Sequence, residues 1–318
     1  MSVTRPSDPS TGQRLFVDPG FDGEPSSDGV PAVGGYRSFT PRPSLRAFVE
    51  RITVGAEAMG IEEIVVPDGG VHLVFHIGTR PMLGDGTTSP AAAVIGAAST
   101  AARIRFSGTL AGVSVRLRPG GVLAALGVPA GRLFGRATAL EDVWGARAEE
   151  TLQRLAGTSD PAARAAIVED ALSEFVTRRG LAPDPRAARA ARMIAATAGR
   201  GRIADIAAAV GVGERRLEQL FDHHVGIAPK VLARIARFQA SVRLLADRPA
   251  PDWSRIAHAC GFADQSHLIG EYRRIAGMTP TEFLRRFRIS DSYKTRGAAD
   301  AILADASAGS GYGGGRAD

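Results

Sequence analysis

Apolar residues recur at two different periods along this chain, and the change of period divides it. In the first half they alternate: Val71, Leu73 and Phe75 are interleaved with His72, Val74 and His76, and Val113, Val115 and Leu117 with Ser114 and Arg116. Alternation places one set of side chains on one face of a strand. With these, short β-type runs predict strands at 51–54, 61–66, 71–77, 92–95, 102–106 and 112–117. Turn signals such as Pro67-Asp68-Gly69-Gly70 and Gly84-Asp85-Gly86 separate them, which predicts an antiparallel sandwich or small barrel. Beyond residue 131 the spacing becomes helical. Ile167, Ala171, Leu172, Phe175 and Val176 form one apolar stripe on a helix that opens at Asp160-Pro161 and stops near Gly180, with an acidic cap before a first-turn proline. Such a stripe either covers the β region or pairs with the same helix of a second chain. Pairing of two chains is the more testable expectation, and Ile167, Leu172, Phe175 and Val176 are its contact residues.

A short linker over 181–185 follows, and Asp184-Pro185 starts another helix. Beyond it one pattern is written twice. Ile206-Ala207-Ala208-Ala209-Val210-Gly211 returns as Ile256-Ala257-His258-Ala259-Cys260-Gly261, an offset of 50, and Leu217, Phe221, Gly226 and Pro229 return as Leu268, Tyr272, Gly277 and Pro280, an offset of 51. Each copy reads as a short helix, a turn with glycine and a second helix, the sequence form of a helix-turn-helix. In the first copy, with Leu217, Leu220 and Phe221 inward, Arg215, Glu218, Gln219 and Asp222 share a polar face, and Arg216 joins these candidates. The second copy leaves Gln265, Ser266, His267, Ile269 and Arg273 for contact with a partner. Arginine and glutamine have the geometry that matches base edges in a major groove. Residues 229–246 read as one helix, roughly 27 Å long at about 1.5 Å per residue. Successive major grooves recur about every 34 Å, so a connector of this size can offer two reading helices to one side of DNA.

The order Ile-Ala-x-x-x-Gly-Phe-x-Asp-Gln-Ser-x-Leu, followed by Tyr272 and Gly277-Met278-Thr279-Pro280, resembles the signature of the AraC/XylS family of bacterial transcription regulators over about residues 185–288. The resemblance implies sequence-specific DNA binding through two helix-turn-helix units. Two positions depart from the family pattern: Gly213 stands where serine usually caps the first reading helix, and Gly270 where an arginine often touches DNA. Val66-Pro67-Asp68-Gly69 and Arg118-Pro119-Gly120-Gly121 resemble, less specifically, the uncharacterised cupin-like β domain that often precedes this module. The expected fold is therefore α+β: a disordered arm over 1–35, an antiparallel β-rich, cupin-like sensing or dimerising domain over 36–145, a helical connector over 146–180, a double helix-turn-helix over 181–290 and a disordered tail over 291–318. Double-stranded DNA is the expected partner. RNA polymerase, a small-molecule effector and a second copy of the chain are further candidates, and no membrane is expected.

Charge supports the division. Residues 186–290 carry 18 Lys and Arg against 9 Asp and Glu, a net of +9, whereas the rest of the chain, with 21 against 24, is −3. A basic module joined to a slightly acidic one is the footprint of a nucleic-acid-binding domain fused to something else. The single cysteine, Cys260, sits in an apolar helix, so it reads as core, excludes a disulfide framework within the chain and points to a reduced, cytoplasmic protein. No run approaches the roughly 18 apolar residues of a membrane helix. A metal-dependent cupin-type enzyme is the alternative, but His72 and His76 lie four residues apart on a strand, about 13 Å, too far to share one ion. No catalytic residue, metal site or cofactor is therefore expected. A helical protein-interaction adaptor is the remaining rival. Arg116 and Arg118 read as a solvated strand face, with an anionic ligand held between them as the alternative.

Overall fold

The computed structural model describes residues 13–16, 31–32, 36–59, 62–245 and 251–289. Its first half is β1 (Gln13–Phe16), β2 (Pro31–Ala32), β3 (Tyr36–Phe39), β4 (Val49–Met59), β5 (Glu62–Val65), β6 (Val71–His76), β7 (Met82–Leu83), β8 (Ala92–Ile95), β9 (Ala102–Arg105), β10 (Gly108–Leu117) and β11 (Ala137–Ala139). Seven of these strands form one sheet in the order β11-β8-β6-β10-β4-β3-β2, and four form another, β1-β5-β9-β7. Pairing is antiparallel except where β1 runs parallel to β5. All six predicted runs contain strands. The register explains why: Val113 lies between Val54 and Phe75, and Val115 between Ile52 and Leu73, so the apolar residues of three strands line up in rows on one face.

That face is covered by helices. α1 (Val122–Leu126), α2 (Glu141–Trp144), α3 (Arg147–Ala156) and α4 (Pro161–Arg179) follow the strands, and Leu126, Trp144, Leu155, Val168, Leu172 and Phe175 share one core with Ile52, Leu73, Phe75 and Val115. Phe75 approaches Trp144 at 6.4 Å between ring centroids, and Trp144 stacks on Phe175 at 5.3 Å. Burying each such side chain stabilises the fold by about 1.5–3 kcal/mol. Arg42 then ties the outer surface of α4 to the loop after β3, with Nε 3.0 Å from Glu169 Oε2 and Nη1 2.8 Å from Asp170 Oδ1.

The expectation that the α4 stripe joins two chains is overturned. Leu172 is wholly buried and Phe175 nearly so within one chain, and Ile167 and Val176 pack against the same core. The sheet needed a cover and its own chain supplies it. Three further departures are local. β1 and β2 fall inside the stretch expected to be a disordered arm; the rest of 1–35 and all of 291–318 lie outside the described residues. β11 interrupts the expected helical run after residue 131 as a three-residue partner of β8. The two sheets do not share one apolar core, because Ile64 and Val66, at the smaller sheet, belong to a second cluster with Phe238, Leu268 and Tyr272.

The second half is helical: α5 (Pro185–Ala196), α6 (Ile203–Ala209), α7 (Glu214–His224), α8 (Pro229–Leu245), α9 (Trp253–Ala259), α10 (Gln265–Ala276) and α11 (Pro280–Ile289). Asp160 accepts from Ala162 N and Ala163 N at 3.4 and 3.0 Å to cap α4, and Asp184 accepts from Arg186 N and Ala187 N at 2.9 and 2.8 Å to cap α5. Each cap satisfies amides that the first turn leaves without a partner. The linker over 181–185 separates helices but not cores: Ala187, Ile194, Leu217, Phe221 and Leu232 belong to the same cluster as the larger sheet.

Candidate nucleic-acid interface

The repeat becomes two helix-turn-helix units, α6–α7 and α9–α10. Gly211 and Gly261 occupy the same place in the two turns with φ of 73° and 74°, a left-handed conformation that glycine adopts without steric cost. In the first unit Ile206, Val210, Leu217, Leu220, Phe221 and Ile227 are buried. In the second, Ile256, Cys260, Phe262, Leu268, Tyr272 and Ile275 are buried, and Phe238, Tyr272 and Phe283 meet edge to face with centroids 4.8–5.7 Å apart. The Tyr272 hydroxyl is paired with Ser241 Oγ at 2.9 Å. Burial pushes the Cys260 thiol up to about 12, so it remains a small core residue without thiolate character.

With those side chains inward, the remaining faces of α7 and α10 reach solvent. Arg215, Arg216, Glu218 and Gln219 are exposed on α7; on α10 Gln265, Ser266, His267 and Arg273 are exposed and Ile269 is half-buried. Arg216 Nη1 donates to Gln219 Oε1 at 3.2 Å. The structure thus brings each copy's candidates together on one open helix face. Asp222 is exposed too, but its carboxylate lies where a side chain on Gly131 would sit, at the junction with the β domain.

Two features were not legible as site features in the sequence. Asp264 Oδ1 accepts from His267 N at 2.7 Å while His267 Nδ1 accepts from Ala263 N at 3.2 Å. This reciprocal cap puts the ring proton on Nε2, a donor on the exposed side, and the ring stands edge-on to Phe262 at 5.5 Å. An aspartate three residues before the histidine was the available signal. Glu271, buried behind the reading face, pairs with Arg234 Nε at 2.9 Å and with Arg274 Nε at 3.9 Å; its main partner is 37 residues away on α8, so no local pattern marks it. The caps differ between the copies as the glycine at 213 implied: Gly213 offers α7 no side-chain acceptor. At Gly270 an added Cβ would meet nothing within 4 Å, so the position that departs from the family pattern is open surface.

The polar face of the larger sheet differs from expectation. Arg116 is only 2% exposed; its Nε lies 3.1 Å from Glu50 Oε2, Nη1 forms an ion pair with Asp68, and Nη2 donates to the Asp68 carbonyl at 3.3 Å. Arg118 Nε donates to the Val49 carbonyl at 3.3 Å. The solvated-face reading is overturned, because alternation says which face a residue takes and not whether another segment covers it. His72 Nε2 meets Asp68 Oδ2 at 2.9 Å, and His76 Nε2 meets Ser89 Oγ at 3.2 Å. Burial, helped by Arg80, holds His76 down at about 4. Among the described residues no group of three His, Cys, Asp or Glu side chains is placed to hold a metal ion, and no helix is long and apolar enough to cross a membrane.

Comparison with known proteins agrees with the repeat. Residues 186–286 match the family described as "Helix-turn-helix domain". These residues form a helix-turn-helix domain. Residues 37–139 match a "Domain of unknown function (DUF6597)", so the helix-turn-helix domain follows a β domain of that description. Part of the chain is similar to "Probable transcriptional regulator LumQ" of Photobacterium leiognathi, with 30% identity over 81 residues, 26% of this chain and 32% of that protein. The chain thus spans about a third of the length of this curated relative. ToxT from Vibrio cholerae is similar at 12% identity with a TM-score of 0.40, over 76% of this chain and 98% of that one. A ToxT structure with a bound unsaturated fatty acid gives 13% identity and a TM-score of 0.39, over 73% and 94% of the two chains.

Proposed function

We propose that this chain is a transcription regulator that binds double-stranded DNA sequence-specifically, with the N-terminal part of α7 in one major groove and that of α10 in the next. The observation that carries the reading is the placement of equivalent polar faces, one on each repeated unit, at the surface of a module with a net charge of +9 over residues 186–290. Arg215, Gln219, Gln265 and His267 are the base-reading candidates. Arg216, Ser266 and Arg273 are suited to phosphate or base contact, and Ile269 to the methyl group of thymine. Glu218 repels phosphate but can accept from a cytosine amine. The buried ion pairs of Arg116 favour a structural role for it over that of an anion receptor.

Selection of bound sequences from a random duplex pool, followed by titration of the best site, tests the reading. Arg215→Ala or Gln265→Ala should cost about 1–3 kcal/mol on that site and relax choice at one or two base pairs. Affinity of the unaltered protein should fall with salt by a log–log slope of about 0.9 for each phosphate neutralised. Recovery of no preferred sequence, or equal losses on selected and random DNA, would remove the assignment of these residues to base reading.

A further inference from the structure

Both reading helices end on the β domain, and they do so in the same way. The last carbonyls of a helix have no partner within it. At the end of α7 the His224 carbonyl accepts from Gly120 N at 3.0 Å, and near the end of α10 the Ile275 carbonyl accepts from Ala101 N at 2.7 Å. His224 and Ile275 are 51 positions apart, the same offset that relates Leu217 to Leu268. Equivalent carbonyls of the two copies are therefore held by two amides of one domain. Gly120 completes the first contact with its own carbonyl, which accepts from Asp184 N, the residue that caps α5, at 3.0 Å. Its φ of +90° and its approach to Ala188 leave no room for a side chain.

A third contact holds the helix between the units. Gln239, buried on α8, donates through Nε2 to the Pro67 carbonyl at 2.7 Å. Pro67 belongs to the turn that Arg116 anchors through Asp68, and Gly69 in the same turn lies against Leu232 of α8. The two turns noted in the sequence, Pro67–Gly70 and Pro119–Gly121, are thus both docking points. Without them α8 would be the main link between the units, and a single helix of about 26 Å, at about 1.5 Å per residue, can bend. With them the contacts close a ring from the β domain through α7, α8 and α10 and back.

We propose that the β domain is a clamp that fixes the distance and orientation between the two reading helices, so that the protein discriminates between DNA sites by the spacing of their two halves. Ala101, Gly120 and Gln239 are positioning residues that touch no DNA. The proposal rests on the DNA reading above and adds to it a role for the domain of unknown function.

The test uses the full chain and the duplex selected above, together with the same duplex carrying one inserted base pair between its halves and a duplex with one half alone. The unaltered protein should prefer the selected spacing by at least about tenfold, within the 5- to 150-fold range usual for coupling between sites. Ala101→Pro removes the amide that holds α10, and Gln239→Met removes the donor on α8 at similar length. Each should bring the spacing preference down to about twofold while binding to the single half is unchanged, with thermal unfolding showing which variants are folded. A variant that is merely destabilised lowers its active fraction on all three duplexes and leaves the ratio intact. An unchanged ratio in a folded Gln239→Met protein overturns the clamp, and so does tighter binding to the selected site, which would make the docking inhibitory. Loss of binding by the unaltered protein to every duplex would instead overturn the DNA reading, and the clamp with it.

Discussion

Arg116 gives the sharpest test of how the N-terminal domain is built. Its guanidinium is 2% exposed and faces two carboxylates, Glu50 at 18% and Asp68 at 11% side-chain exposure. Replacing it with methionine keeps much of the volume but takes the guanidinium from both acids, leaving Asp68 to His72 alone among the described side chains, beneath the turn that docks on α8. Removing one partner of a buried pair costs about 3–5 kcal/mol. The partial access of Glu50 and Asp68 to water puts the expected loss near the lower end, about 3 kcal/mol. At about 2–4 °C per kcal/mol for a domain of this size, the melting temperature should fall by roughly 6–12 °C. Urea unfolding at neutral pH gives the free energy directly, provided the slope with denaturant matches that of the unaltered protein. A solvated arginine on a strand face would cost within about 0.5 kcal/mol. A loss that small would refute the buried-pair account and restore the solvated-face reading.

Other perturbations give independent checks. Gly270→Ala should stabilise the protein by up to about 1 kcal/mol, since it replaces a mid-helix glycine at a position where a Cβ meets nothing; a destabilised variant would contradict that placement. Gly270→Arg should add one phosphate contact, seen as an increase of about 0.9 in the salt slope, and an unchanged slope would place position 270 away from DNA. Asp264→Ala removes the cap on His267 N and should cost about 1 kcal/mol, whereas no loss would mean that the reciprocal cap is not formed in solution. His76 is held down at about 4, mainly by burial, while the unfolded chain titrates it near its ordinary value. Between those two values the unfolded state binds more protons, so the contribution of neutral His76 to stability declines as pH falls from about 6.5 to about 4. His76→Gln should flatten that part of a stability–pH profile, and an unaltered profile would place the titration elsewhere.

What the sequence made visible depended on the range of the interactions involved. The helix-turn-helix pair was legible because its determinants are local: the glycines at 211 and 261 and the four-residue apolar spacing of Leu217 with Phe221 and of Leu268 with Tyr272; so were the starts of α4 and α5, at the Asp-Pro caps at 160 and 184. Strands with a buried face were legible for the same reason, as Val113, Val115 and Leu117 show. Interactions between distant segments were not. Arg116 pairs with Glu50, 66 residues away, and Gln239 reaches Pro67 across 172 residues, so neither the burial of that arginine nor the docking of the turn leaves a local pattern. The stripe on α4 was read correctly as apolar, but its partner is the sheet of its own chain, a choice that periodicity cannot make. β7 and β11 were missed because strands of two and three residues are too short to show alternation.

Hydroxyl-radical footprinting of the full chain on its selected duplex tests the central claim most directly. Two reading helices in successive major grooves predict two protected segments on one face of the DNA, centred about one helical turn, or about 10 base pairs, apart. Arg215→Ala should weaken only one of these segments and Gln265→Ala only the other. A single short protected segment, or two that fade together with either substitution, would contradict it.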